Sequence, residues 1–69
     1  MSDPVYKHIE ITGTSSTTIE DAVNNALSRA GKTVRGMRWL EISEVRAAID
    51  EDQVSQWQVT IKLGFKLED

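Results

Sequence analysis

Trp57-Gln58-Val59-Thr60-Ile61-Lys62-Leu63-Gly64-Phe65-Lys66-Leu67 decides the fold. Every odd position is apolar, and every even one is polar or glycine. That alternation is the period of a strand with one face against a core. Extended back to Val54, the strand spans roughly 45 Å at ~3.3 Å per residue. A compact chain of this length has a radius of gyration near ~11 Å, hence a diameter of roughly 28 Å. The strand must therefore curl around its cover or run onto a neighbouring subunit.

Upstream, Asp50-Glu51-Asp52 reads as an acidic turn, and Met37–Ile49 as the strand that enters it. The apolar phase of that strand changes between Ile42 and Val45, which predicts a bulge or a segment buried on both sides. Ile19, Ala22, Val23, Ala26, Leu27, Ala30 and Val34 recur at steps of three and four, the stripe of an amphipathic helix. Thr17 and Glu20 have capping-box spacing, and Asp21 suits the helix N-terminus. Lys32 and Arg35 are expected in the last turn, with Gly36 as C-cap and Gly31 weakening that turn. Val5–Thr12 is a further strand, followed by a turn at Gly13–Ser16.

The expected fold is α+β, with order β-α-β-β in one domain over residues 1–69. A helical crossover leaves the first and second strands parallel to each other. An all-antiparallel sheet then requires the third strand in the centre, in the order 1-3-2. The ends, Met1–Pro4 and Glu68–Asp69, are expected to be loose.

Trp39 faces the wrong way for a core residue. Leu40 and Ile42 are the core-facing positions of its strand, so Trp39 stands on the opposite face beside Glu41 and Ser43. A large ring there needs a partner chain or a flat ligand to cover it. Gln58 lies on the polar face of the central strand, and its amide offers donor and acceptor side by side. A tight hairpin centred on Glu51 sets Gln58 opposite Glu44, not Trp39. One ligand touching both residues then needs another register or two chains. Arg46 and Lys66, on polar faces near strand ends, are candidate phosphate contacts, with solvated or interface charges as the plainer reading.

Composition narrows the classes. Among 69 residues there is no cysteine and one histidine. Disulfides and thiolate metal sites are thus excluded, and a domain this small is left to self-association for extra stability. Eight basic and eleven acidic side chains give a net charge of −3, which disfavours nucleic acid as main partner. No apolar run is long enough to span a membrane and no signal peptide pattern opens the chain, so a cytoplasmic location is expected.

The remaining motifs fail on context. Gly31-Lys32-Thr33 ends a helix where a phosphate loop would begin one. The acidic turn has Ser55 and Ile61 where a calcium loop needs glycine and glutamate. His8 has no nucleophile elbow to serve and reads as a surface histidine, while Trp57 reads as core. No enzyme reading survives.

Several pieces together resemble the dodecin family of small flavin-binding proteins. They are Tyr6-Lys7, Ile11-Thr12-Gly13-Thr14-Ser15, the Ala-rich helix ending in Lys32-Thr33-Val34-Arg35, Trp39-Leu40-Glu41-Ile42, Val45-Arg46, and the run from Trp57 to Leu67. The resemblance implies a hollow homododecamer of β-α-β-β subunits, each sheet partly wrapped around its helix. It implies flavins bound in pairs at subunit contacts, stacked on tryptophans that match Trp39, with Gln58 at the isoalloxazine edge. FMN is the implied ligand, with riboflavin or FAD as variants and coenzyme A as a further one. Arg46 matches a basic position near the phosphates; Lys66 stands where several relatives have arginine, which weakens a bidentate contact. The implied role is flavin storage or sequestration with quenched photochemistry. The alternative is a self-assembling coenzyme A or nucleotide carrier in which Trp39 mainly seals an interface.

Overall fold

The structure, a computed structural model, describes residues 3–68, so the expected looseness at Met1, Ser2 and Asp69 lies outside the described residues. The elements are β1 (Tyr6–Ser15), α1 (Ile19–Ala30), β2 (Met37–Asp50) and β3 (Gln53–Lys66). They form one sheet of order β1-β3-β2, with both pairings antiparallel, the arrangement expected for a sheet with β3 in the centre. Val59, Ile61 and Leu63, alternate residues of β3, join the core under α1 and are fully buried.

The helix meets this row through its smallest side chains. Ala22, Ala26 and Ala30 are buried four residues apart, flanked by Val23 and Leu27. Alanine leaves no bulk between helix and sheet, so the two backbones approach closely. Gly13 marks the tightest point: a Cβ there would overlap the Ala22 carbonyl oxygen and lie 2.8 Å from Ala26 Cβ. Gly13 is accordingly not in a turn. β1 continues through it, pairing Gly13 with Val59 and Ser15 with Trp57.

Both helix ends differ from expectation. The N-cap is Thr18, one residue after Thr17, and its hydroxyl accepts from the Asp21 amide at 2.9 Å. Ser15 fixes the entry: its buried hydroxyl donates to Asp21 Oδ2 at 2.7 Å and accepts from the Thr17 amide at 2.9 Å. At the other end the helix stops at Ala30, with Gly31 as C-cap. Lys32 and Arg35 therefore lie beyond it. Arg35 still serves the C-terminus, by folding back to donate from Nη1 to the Gly31 carbonyl at 2.9 Å. Gly36, at φ 74°, lies immediately before β2 instead of capping α1. Thr33 and Val34, β-branched and poor helix formers, suit the early exit.

The hairpin tip is Glu51-Asp52, both at positive φ, and it joins Asp50 to Gln53. The bulge expected between Ile42 and Val45 is present, with register shifts also at Met37/Trp39 and Ala48/Ile49. Ser43 occupies the central bulge and donates to Glu10 Oε2 at 3.0 Å.

α1 is short for this sheet. Its 12 residues cover about 18 Å, whereas the 14 residues of β3 extend about 46 Å. The chain measures 56 × 21 × 13 Å with a radius of gyration of 14.4 Å, far from a sphere. Ile42, expected in the core, is 48% exposed because the helix packs on β1 and β3 and leaves β2 uncovered. Ile49 and Val54, near the hairpin tip, are also bare. Among the described residues no helix is long and apolar enough to cross a membrane.

Candidate functional site

The sheet face away from α1 carries the candidate site. Gly64 pairs with His8 on one side and Trp39 on the other, so these three residues form one cross-strand row. The indole uses the space that glycine leaves: a Cβ at position 64 would overlap Trp39 Cδ2, Cε2 and Cζ2. The ring thus lies over the β3 backbone, with its outward side free and 42% of the residue exposed. The His8 ring centroid is 6.4 Å from that of Trp39, at an interplanar angle of 43°.

The seat makes a prediction. Gly64→Ala is expected to push the indole off the sheet, changing the near-ultraviolet circular dichroism while the far-ultraviolet spectrum holds. The methyl group has nowhere to go but the ring's volume, and the exposed side chain yields before the backbone does. An unchanged near-ultraviolet band would show that the ring does not use this seat.

Gln58 belongs to a different row. It pairs with Thr14 and Arg46, and its Oε1 accepts from Arg46 Nε at 2.7 Å. Its Nε2 donates to Gln56 Oε1 at 3.0 Å. The partner across β2 is therefore Arg46, not Glu44. The two-residue tip and the bulge at Ala48/Ile49 each move the register by one. The amide keeps one further proton and one further lone pair for a ligand.

The four expected site residues thus separate into two pairs. Trp39 and Lys66 lie at one end of the outer face, where Lys66 pairs with Tyr6 in the row beyond Gly64. Gln58 and Arg46 lie at the other. Six steps of β3 from Gly64 to Gln58 amount to about 20 Å, too far for one planar ring system. The Glu10–Lys62–Glu41 and Thr12–Thr60–Glu44 rows stand between them. Within one chain the structure does not bring Trp39 and Gln58 together.

Sequence reasoning missed Gly64 and the placement of His8. One signal was present: a glycine inside a regular strand often marks the close approach of another group. A groove of about 680 Å³ between α1 and β1, lined among others by Ile11, Asn25, Arg29 and Lys32, contains none of the four expected residues. Among the described residues, no three His, Asp or Glu side chains are placed to hold a metal ion.

Comparison with known proteins agrees with this architecture. The family model described as Dodecin matches residues 5–68. The dodecin of Thermus thermophilus is 45% identical over 65 residues, covering 94% of each chain. The calcium dodecin of Mycobacterium tuberculosis is 33% identical over 63 residues, covering 91% of this chain and 89% of its own. The structure of dodecin from Streptomyces coelicolor superposes with a TM-score of 0.93 at 45% identity, covering 100% of this chain and 99% of that one. With its β-α-β-β topology and a family match over nearly its whole length, the chain belongs to the dodecin family.

Proposed function

We propose that this protein binds flavin, FMN first and riboflavin or FAD as variants, between chains of a cytoplasmic homododecamer. The observation that carries this reading is the indole of Trp39, seated over Gly64 with an uncovered outward side. A flat, electron-poor ring system matches that surface better than a flexible side chain does, since offset stacking uses the whole face. Gln58 and Arg46 reach the same ligand from a second chain, because their own Trp39 is too distant. Arg46 binds Gln58 through Nε alone, which leaves its two terminal amino groups for a phosphate. Lys66, in the row beyond Trp39, offers a point charge there.

The role is storage or sequestration, and no turnover is part of it. An indole against an excited isoalloxazine passes it an electron that then returns, so light energy is lost as heat instead of driving photochemistry.

Titrating FMN with the protein is the direct test, with the mass followed by light scattering. Flavin fluorescence is expected to fall steeply at low micromolar protein, in an assembly of about twelve chains. Unquenched FMN beside an intact assembly would remove the flavin reading. Bound coenzyme A that leaves the tryptophan signal unchanged would then favour the carrier alternative.

A further inference from the structure

The row that seats Trp39 contains a second ring with acid–base chemistry of its own. His8 pairs with Gly64 from the β1 side as Trp39 does from the β2 side. Its imidazole lies 6.4 Å from the indole, centroid to centroid, and the planes are tilted by 43°. His8 is exposed and is the single histidine of the chain. Gly64 places no side chain between the two rings, so the surface runs from indole to imidazole without interruption.

We propose that His8 is a further binding residue of the stacking site, and that its neutral ring is the form that accepts the guest. This inference rests on the flavin reading above. A planar guest that covers the indole extends past the ring's edge towards His8. Covering a neutral imidazole costs little, whereas covering an imidazolium strips water from a charge. The cation is also drawn towards the indole face, the same surface a guest would occupy. Protonation opposes binding through both effects. Imidazoles change charge between about pH 5 and 8. Affinity is therefore full at the alkaline end of that window and is lost as the pH falls through it. By linkage, the guest moves the His8 titration to lower pH.

Other charged and titratable groups share this face. They are Tyr6 and Glu10 on β1, Lys62 and Lys66 on β3, and Glu41 on β2, with Arg38 in the register shift beside Trp39. All are common to the wild type and a His8 variant, so a comparison of the two isolates the imidazole.

Riboflavin is the probe, because the phosphate of FMN titrates at about pH 6 and would confuse the reading. Quenching titrations run from about pH 5.5 to about pH 8, with light scattering confirming the same assembly at each pH. Riboflavin affinity is expected to fall about fivefold towards acid, the size of an exposed cation–π contact. In His8→Gln the fall is expected to vanish. Should that variant fail to assemble, magnetic resonance of isotope-labelled histidine in the wild type decides, since one imidazole gives one signal. That signal is expected to titrate at lower pH once riboflavin is added. An equal acid loss in His8→Gln, or a titration indifferent to riboflavin, overturns the role of His8 and leaves flavin binding intact. No riboflavin binding by the wild type at the alkaline end overturns the flavin reading itself.

Discussion

Trp39→Ala is expected to keep the assembled mass and lose flavin, with FMN affinity falling about 5- to 150-fold. The range follows from stacking contributions of ~1–3 kcal/mol per ring removed by alanine substitution. The two readings of Trp39 diverge at this point. A ring that only seals a contact between chains would take the assembly apart when deleted. The indole already rests on its own β3 through Gly64, so its removal need not disturb the strand pairing beneath it. An intact mass with flavin still quenched would exclude both the stack and the seal. A dissociated variant would make Trp39 an interface residue and any ligand incidental.

The second large effect concerns stability. Gly13→Ala is expected to destabilise the protein by about 1–3 kcal/mol, the usual cost of overpacking. Tm falls by roughly 4–8 °C for each kcal/mol in a domain of this size. The added methyl group would meet the Ala22 carbonyl and Ala26 Cβ, and the first of these is helix backbone that cannot rotate away. Relief requires α1 to rise from the sheet, which also loosens the cover over Val59 and Ile61. Self-association raises Tm by mass action wherever it occurs, so the two proteins must be compared at equal chain concentration. An unchanged Tm would mean that helix and sheet are packed less closely than the structure places them.

How far the sequence carried depends on which physical signal each feature leaves. The alternation from Trp57 to Leu67 marked β3 as a strand with one face on the core, and the helical crossover put it in the centre of an all-antiparallel sheet. Parity alone placed Trp39 on the outer face. The helix ends were less legible: the apolar stripe runs to Val34, yet α1 ends at Ala30. Val34 is half-buried from the irregular segment beyond the helix end, so the stripe outruns the helix. The turn forecast at Gly13–Ser16 failed because glycine there answers to the close approach of α1, a tertiary fact that local propensity does not contain. Gln58 was misplaced by two positions relative to β2, since a hairpin tip and a bulge each add a residue that pattern reading does not count. The same limit hid the Gly64 seat. It exists only because β2 delivers Trp39 to the rung of Gly64.

The glycine beneath the indole also fixes a stoichiometry. One side of the ring is spent on its own backbone, so each polypeptide offers a single open stacking surface. However many copies gather, the flavins held on indoles cannot outnumber the chains. On the proposed flavin reading, saturation comes at no more than one equivalent, and a sandwich must draw its two slices from two separate molecules.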